Sequence, residues 1–584
     1  MASISTNQSA LQGKPEHHQE AVRQARLPAA CAESRAAGNF AAAHTRRLPP
    51  VKARRGHLLS MVLLFGLAAL VRITVADRHG LWADEFFSLA MATGHSLEHP
   101  AVEAVPALGD FVESPGAEPA TQWRRYLEHE DPPASAARVV RAVLLSDTSP
   151  PLYYLLLYGW TRAFGTTDLD LRLFSVVCSL AAFPLLYLLG RRLSGRRAAL
   201  VAVLLYSIAP ISLYYSVEGR MYSLLWFLGL AAAWLSLRLH DRGPRPVSIL
   251  LLTLTGAAGL LAHYFFVFVW AACQVWLWLY PGRISRAWPA AIAVLTGLLV
   301  LPWYLQVPES LARWRITGRW LEGGLSLGQA VTAPLTLAWS LFSGRGPWGG
   351  NVWVDRVGIG LLLILILAVG RKSPRALLSR NSRLVWLWLL FACAGPLIFD
   401  LLRGTHASQI SRYALPAVPA AMLLAGMALN RLGPPLSTIF LALVVVAWLP
   451  GIRVVFLNGS RSWDVYRQVA VKVAEWAGPS DLVIVHSIPS GVVGIARYVT
   501  SDTPVASWVE QLGGRRVPED VIRLLHGRER VALVVIHSGA AVPEEGWLQA
   551  HATSVGGFQM LNARVLYFAA PAGGSVGSKL RPSP

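Results

Sequence analysis

Charged residues are scarce in this chain. Only 15% of its 584 residues are Asp, Glu, Lys or Arg, while 54% are hydrophobic. A soluble domain normally carries about 25% charged residues, so a single soluble core is excluded. The composition therefore predicts a polytopic α-helical membrane protein.

Acidic residues are rarer than basic residues: there are 33 acids and 53 bases, and the formal net charge is +20. The bases fall in short clusters between apolar runs, as the positive-inside rule describes, so the charge does not indicate nucleic-acid binding. Cysteine is scarcer still, with four residues. Cys178, Cys273 and Cys393 lie inside apolar runs and Cys31 near the N-terminus, so no disulfide is expected outside the membrane.

The apolar runs predict about eleven transmembrane helices, because a crossing needs about 20 residues. The runs are His57–Ala76, Leu171–Leu189, Ala198–Leu213, Met221–Leu237, Val247–Ala262, Phe265–Tyr280, Ala287–Gln306, Val357–Val369, Leu384–Leu402, Tyr413–Leu429 and Leu436–Phe456. Basic residues before the first run place the N-terminus in the cytoplasm and the first loop outside. Counting Pro150–Phe164 as a crossing would move the cluster Arg191–Arg197 outside, so it is interpreted as a short helix within the first outer loop.

Four regions are expected along the chain. Residues 1–56 have no apolar period and predict a disordered cytoplasmic tail. Residues 57–456 form the membrane core, with a long first outer loop at 77–170. Residues 457–570 mix helical periodicity with short buried strands such as DLVIVHS and predict a small extracytoplasmic α/β domain. Residues 571–584 are expected to be a flexible tail.

Polar residues suited to chemistry gather in the outer loops. Asp84 and Glu85 stand just beyond the first run, in LWADEFFSLA, where carboxylates are costly unless they have a function. The other candidates are Arg172, Tyr215, Glu218, Arg220, His263, Tyr264, Arg412 and Tyr413. Arginine holds phosphate oxygens bidentately, and a carboxylate can take the proton of an attacking hydroxyl. This mixture suits transfer of a group from a lipid phosphate.

Each candidate also has a structural interpretation. Asp84 and Glu85 can cap a helix beginning at FFSLA, where acids favour the N-terminal dipole. Arg172 and Arg412 can anchor the chain at the membrane interface, and the tyrosines can belong to the aromatic belt. His263 can be a hydrogen-bonded turn residue.

Four ordered pieces carry a family resemblance: LWADEFFSLA, SPPLYYLLLYGWTRAFG with the run that follows it, APISLYYSVEGRMYSLL and SRYALPAVPA. Together they resemble the polyprenyl-phosphate-sugar-dependent glycosyltransferases of the GT-C superfold. Within it they are similar to glycosyltransferase family 39, which includes protein O-mannosyltransferases and the lipid A aminoarabinose transferase. The resemblance covers most of residues 57–455.

The resemblance implies a site at the outer face, a polyprenyl-phosphate sugar donor, a lipid, glycan or protein acceptor, and inversion at the anomeric carbon. It assigns Asp84 as catalytic base with Glu85 beside it. Arg172, Arg220, Arg412 and Tyr413 become donor-phosphate candidates. The remaining polar residues become substrate-binding candidates: Ser149, Tyr215, Glu218, His263 and Tyr264. Family members often carry His or Lys where this chain has Ser149, which weakens a phosphate-binding role there.

No cofactor is firmly expected. A related branch, the oligosaccharyltransferases, holds a divalent cation between loop acids, and Asp84 with Glu218 can imitate that arrangement. Pairing of Glu218 with Arg220 or Arg412 explains the same residue without metal and is favoured. Two other functions stay open: a transporter or flippase of lipid-linked glycans, and a non-catalytic scaffold on the same fold. Charges at span ends, with no detectable repeat, argue against the transporter.

Overall fold

The computed structural model describes residues 51–147, 149–318, 320–344, 352–372, 379, 382–457, 465–499 and 502–570. The chain divides into two units, 1–63 and 64–584, and everything described below lies in the second unit except the start of the first helix. That helix begins at Val51, six residues before the expected span. The expected tails, up to residue 50 and from residue 571, lie outside the described residues.

Helices dominate the region before residue 458. The first helix and the loop after it contain α1 (Val51–Arg78), α2 (Ala83–Ala92), the short strand β1 (Glu118–Pro119), α3 (Ala120–Arg124), α4 (Ala136–Ser146) and α5 (Leu152–Phe164). The core continues with α6 (Asp168–Ser194), α7 (Arg196–Ile208), α8 (Pro210–Val217), α9 (Tyr222–Arg242), α10 (Pro246–Ala262), α11 (Phe266–Leu279), α12 (Ala287–Tyr304), α13 (Val307–Ala312), α14 (Leu327–Ser340), α15 (Val352–Lys372), α16 (Ser382–Arg403), α17 (Val418–Arg431) and α18 (Pro434–Leu457).

The helices are those of a polytopic membrane protein. Within the described residues, seven are long and apolar enough to cross a membrane, or eight if the bent pair α7–α8 is one span. Each of the eleven expected runs lies on a helix or helix pair, and the number of crossings stays a prediction. The segment interpreted as a short loop helix forms α5, and α2 packs against α4 and α5.

The third apolar run is broken, which the sequence analysis did not predict. Helices α7 and α8 meet at a 63° bend. Pro210 stands at the first position of α8 and has no N–H to donate, so the chain cannot continue as one straight helix. Arg72, fully buried on α1, donates to the carbonyls of Tyr206 and Ser207 at 3.2 and 3.3 Å. The bend directs α8 and the loop after it toward α2.

The C-terminal region folds around a six-stranded sheet. Its elements are α19 (Val465–Trp476), β2 (Leu482–His486), α20 (Pro489–Tyr498), β3 (Pro504–Trp508), α21 (Glu519–Leu525), β4 (Arg530–Ile536), α22 (Pro543–His551), β5 (Thr553–Met560) and β6 (Ala563–Ala569). The strand order is β1-β3-β2-β4-β6-β5, with β3, β2 and β4 parallel and the other pairs antiparallel. Strand β2 is buried along its whole length, as expected for a central strand covered on both faces.

Strand β1 comes from the loop after α1, so that loop and the C-terminal region share one sheet. Glu118 pairs with Val505 and Pro119 with Pro504. Side chains reinforce the contact, since Trp123 Nε1 donates to the Val505 carbonyl at 3.1 Å. The C-terminal region is thereby fixed to the loop that carries α2.

A second polar contact joins the C-terminal region to the start of α6. Arg497 Nε donates to Asp168 Oδ1 at 2.7 Å, and the Tyr498 hydroxyl donates to the other oxygen of Asp168. The Tyr498 oxygen also accepts from the Leu81 amide at 2.7 Å, three residues before Asp84. The end of α20 therefore holds the approach to α2.

Candidate active site

Helix α2 directs its two acids in different directions. Asp84 and Glu85 occupy its first turn, where the Glu85 carboxylate accepts from the Trp82 amide at 3.2 Å and caps the helix. The side chain of Glu85 is 1% exposed, whereas that of Asp84 is 26% exposed. Consecutive helical positions differ by about 100°, so one acid enters the protein interior while the other stays accessible.

Glu85 forms a buried ion pair with Arg172 of α6. Arg172 donates through Nε to Oε1 at 2.8 Å and through Nη2 to Oε2 at 2.6 Å. Its other N–H groups donate to the carbonyls of Ala76, His79 and Gly80, so all five are used. The Gly219 amide donates to Glu85 Oε1 at 2.7 Å, so this pair fastens three separate segments together.

Asp84 faces Arg412 instead. Arg412 Nη1 donates to Asp84 Oδ2 at 3.0 Å, in a pair whose side chains are 19% and 26% exposed. The guanidinium lies over the Trp320 ring at 4.9 Å and near the Tyr413 ring at 5.5 Å. Aromatic faces stabilise a cation while leaving its edge donors available, which suits a site that receives an anion.

Arg220 belongs to a second ion pair close to the first. Its Nη1 donates to Asp147 Oδ2 at 3.1 Å, to the Tyr154 hydroxyl at 3.0 Å and to Ser88 Oγ, one turn after Asp84, at 3.3 Å. Burial opposes ionisation of Asp147, but Arg220 and Tyr154 outweigh it and lower its pKa. Ser149 joins this group through its amide, which donates to Asp147 Oδ1 at 3.1 Å.

Glu218 is buried beside these pairs, 1% exposed. Among the described residues no donor reaches either carboxyl oxygen, and it is paired with neither Arg220 nor Arg412. Burial raises its pKa well above the usual range, and the negative charges of Glu85 and Asp84 raise it further. The raised pKa favours the protonated form of Glu218, which can donate one hydrogen bond.

Aromatic side chains connect the remaining candidates. Tyr215 contacts Tyr222 at 5.0 Å between ring centroids, and His263 lies 6.4 Å from both Tyr222 and Tyr413. Burial and the charge of Arg220 lower the pKa of His263 to about 4. Tyr264 joins a different group, since its hydroxyl accepts from Trp303 Nε1 at 3.3 Å.

His263 also has the turn contact that the structural interpretation anticipated. Its Nδ1 accepts from the Phe265 amide at 3.0 Å, so the neutral ring keeps its proton on Nε2. The capping interpretation of the acid pair likewise holds for Glu85, which accepts from Trp82.

Asp147, Tyr154 and Trp320 are site neighbours that the sequence analysis missed. Asp147 had a usable signal, because it stands two residues before Ser149 in SDTSPP, next to the paired prolines. Tyr154 follows in the same segment. Trp320 lies in a loop with no pattern around it, so nothing in the sequence distinguishes it from the other tryptophans.

The carboxylates do not fit a divalent-cation site. Glu85 is neutralised by Arg172 and Glu218 favours its protonated form, which leaves Asp84 as the one accessible carboxylate of the three. Within the part of the chain that the structure describes, no three His, Cys, Asp or Glu side chains are arranged to hold a metal ion.

Comparisons with known proteins agree with this architecture. Residues 148–305 match the family model described as dolichyl-phosphate-mannose-protein mannosyltransferase. Among solved structures, ArnT from Cupriavidus metallidurans in the apo state is 14% identical, with a TM-score of 0.53 over 88% of this chain and 98% of that one. Its complex with undecaprenyl phosphate covers the same shares at a TM-score of 0.49. A comparison with curated proteins gives no match.

A more distant likeness is to the archaeal oligosaccharyltransferase AglB from Archaeoglobus fulgidus, in complex with an inhibitory peptide and a dolichol-phosphate. It is 14% identical, with a TM-score of 0.44 over 82% of this chain and 69% of that one.

The chain is therefore a polytopic membrane protein whose fold is like that of ArnT, a fold of the GT-C type. The match of residues 148–305 to the mannosyltransferase family model agrees with the resemblance to glycosyltransferase family 39 that the sequence indicates.

Proposed function

We propose that this protein transfers a single sugar from polyprenyl phosphate to a hydroxyl of a lipid, glycan or protein acceptor at the outer face of the plasma membrane. The observation that carries the proposal is the contrast between the two adjacent acids: Glu85 is buried and neutralised, whereas Asp84 is accessible and held by Arg412. The matched family description names a lipid-phosphate-linked mannose, which supports a donor of this chemistry.

Asp84 is the catalytic base in this proposal. Its carboxylate takes the proton of the acceptor hydroxyl as that oxygen forms a bond to the anomeric carbon of the sugar. The bond from this carbon to the phosphate oxygen breaks, and polyprenyl phosphate leaves with the electron pair. Attack opposite the leaving group inverts the anomeric carbon. One carboxylate suffices, because phosphate departs without a general acid.

Arg412, with Tyr413 beside it, binds the donor phosphate. A phosphodiester carries one negative charge and the departing phosphate monoester up to two. Proton transfer neutralises Asp84 during the same step, so its pairing with Arg412 weakens as charge grows on the phosphate. Arg412 is thereby released to stabilise the leaving group when that stabilisation is needed.

Arg220 contributes positive charge from its pair with Asp147 and is the second phosphate-binding candidate. Arg172 has no N–H left for a ligand, so we assign it a positioning role: with Glu85 it holds α2 in place. Glu85 shares that role rather than the chemistry.

The sugar of the donor contacts the uncharged side chains of the site. Glu218 in its protonated form, Tyr215 and the Nε2–H of His263 offer hydrogen bonds without adding charge. Ser149 contacts Asp147 through its amide, and Tyr264 contacts Trp303; both stay candidates for binding substrate.

Orientation and domain roles belong to the same proposal. The N-terminus is cytoplasmic, residues 57–456 form the catalytic core, and residues 457–570 form an extracytoplasmic domain. The basic clusters between apolar runs support this topology. It places the Asp84 site at the face where polyprenyl-linked sugars are used.

Radiolabelled sugar transfer tests the proposal. Purified protein is incubated with a panel of polyprenyl-phosphate sugars and membrane extract, with and without chelator. The variant is Asp84→Asn, and the matched control is Asp77→Asn, an exposed aspartate at the end of α1. We expect wild type and Asp77→Asn to transfer sugar and Asp84→Asn to lose about 10²–10⁴-fold in rate. Normal turnover by Asp84→Asn would exclude Asp84 as the catalytic base. An inactive wild-type protein would contradict the proposed function.

A further inference from the structure

Three side chains of the C-terminal region form one hydrogen-bonded group that the proposed chemistry does not use. The Tyr466 hydroxyl lies 3.0 Å from Nε2 of His537, and Ser487 Oγ lies 3.1 Å from its Nδ1. Both ring nitrogens therefore contact hydroxyls. A neutral imidazole satisfies this arrangement, because hydroxyls donate or accept as required. We name Tyr466, Ser487 and His537 the hydroxyl–imidazole group.

The group stands at the carboxyl end of the parallel strands. Ser487 directly follows β2, and His537 directly follows β4. In open α/β sheets this edge is where ligands bind. His537 has a φ of +64°, which non-glycine residues adopt infrequently, so the backbone there is held in an uncommon conformation that directs the imidazole.

This edge of the sheet meets the helix that carries the proposed base. Phe86, two residues after Asp84, packs edge-on against Tyr466 at 5.3 Å between ring centroids. The approach requires Gly494 on α20, because a Cβ there would lie 2.8 Å from Phe86 and 2.9 Å from Tyr466. Burial raises the pKa of the Tyr466 phenol, and the negative charge of Asp84 raises it further. Tyr466 therefore packs against the helix that carries Asp84.

The group also runs from the protein interior to the surface. Tyr466 is 1% exposed and Ser487 4%, whereas His537 is an exposed residue. A ligand entering from outside therefore meets His537 first and Tyr466 deeper, where Tyr466 packs against Phe86 of α2. None of the three side chains carries a charge, which favours a polyol over a charged ligand.

We propose that the hydroxyl–imidazole group is the acceptor subsite and that it takes a carbohydrate acceptor, holding one of its hydroxyls against Asp84. The inference rests on the proposed function and extends it to the C-terminal region. His537 and Tyr466 bind and orient the acceptor, while Arg412 and Arg220 serve the donor. Acceptor and donor therefore enter from different parts of the chain.

Steady-state transfer with two separately varied substrates tests this division. The variants are Tyr466→Phe, which removes only the hydroxyl, and His537→Asn, which keeps a residue that tolerates positive φ. The matched control is His551→Asn, at the end of α22, where the native ring stacks on Trp547. The acceptor is supplied as lipid-free cell-envelope glycan in one arm and as a Ser/Thr-containing peptide in the other.

We expect transfer to the glycan, with the apparent KM for glycan raised at least tenfold in Tyr466→Phe and His537→Asn and the apparent KM for donor within twofold of wild type. The His551→Asn control should match wild type. Unchanged glycan KM in both variants, or transfer confined to the peptide, would overturn the inference while an active wild type leaves the proposed function standing. An inactive wild type would overturn both.

Discussion

Replacing Glu85 by Gln should destabilise the protein strongly, whereas replacing the adjacent Asp84 by Asn should not. The Glu85–Arg172 pair is buried on both sides, so Glu85→Gln leaves an uncompensated guanidinium in the interior. Breaking one partner of a buried pair costs about 3–5 kcal/mol. The Asp84–Arg412 pair is partly exposed and contributes about 0–1 kcal/mol. The two variants should therefore differ by at least roughly 2 kcal/mol in unfolding free energy.

Thermal unfolding of the purified protein in detergent, with transfer activity measured at low temperature on the same samples, separates the two effects. Asp84→Asn should unfold near the wild-type temperature and lose about 10²–10⁴-fold in transfer rate. Glu85→Gln should unfold well below it. The double variant Glu85→Gln with Arg172→Met removes both charges and should recover part of the loss, because no charge is then left buried alone.

Two results would refute this reasoning. Wild-type stability in Glu85→Gln would show that the ion pair does not hold α2. If Asp84→Asn loses as much stability as Glu85→Gln, both acids have a structural role. Asp84 would then no longer be assigned as the accessible base.

Three further predictions concern other parts of the molecule. Burial raises the pKa of Glu98 to about 7. The protonated form of Glu98 therefore stabilises the fold fully below pH 4.5, and this contribution is lost as the pH rises through 7. Glu98→Gln should flatten the pH dependence of the unfolding temperature across this interval. Arg412→Lys should raise the apparent KM for donor more than tenfold and leave the acceptor KM unchanged, because a lysine cannot reproduce the planar guanidinium that lies over the Trp320 ring. Equal effects on both substrates would contradict the phosphate-binding role of Arg412. Asp168→Asn should loosen the end of α20, because the side chain loses its charge-assisted bonds to Arg497 and Tyr498. Limited proteolysis should then release the C-terminal region faster than in wild type, and unchanged cleavage rates would show that these bonds do not hold it.

Much of the architecture follows from hydrophobicity alone. Each apolar run lies on a helix or helix pair, because a mainly apolar segment in a bilayer must satisfy its own backbone hydrogen bonds. The acid pair could likewise be located, since carboxylates beside a membrane run are rare. What the sequence could not predict is which of Asp84 and Glu85 turns inward, because that depends on where Arg172 lies in space.

Other features depend on contacts between distant segments. The bend at Pro210 had a local signal, but its partner Arg72 lies on α1 and appeared only as one more residue of an apolar run. The expected pairing of Glu218 with Arg220 or Arg412 failed because each arginine takes a different carboxylate, Asp147 or Asp84. In each of these contacts, one of the two residues lies far away in the sequence or stands in a segment without a recognised motif.

The pairing of β1 with β3 has a consequence for biogenesis. Glu118 leaves the ribosome roughly 400 residues before its partner strand, a delay of about 20–80 s at ordinary rates of synthesis. During that interval the loop carrying α2 lacks the sheet and the Tyr498 contact that later hold it. The helix with the proposed base is therefore fully secured only after β3 has been made, so chains truncated before Pro504 should be preferred targets for membrane proteases.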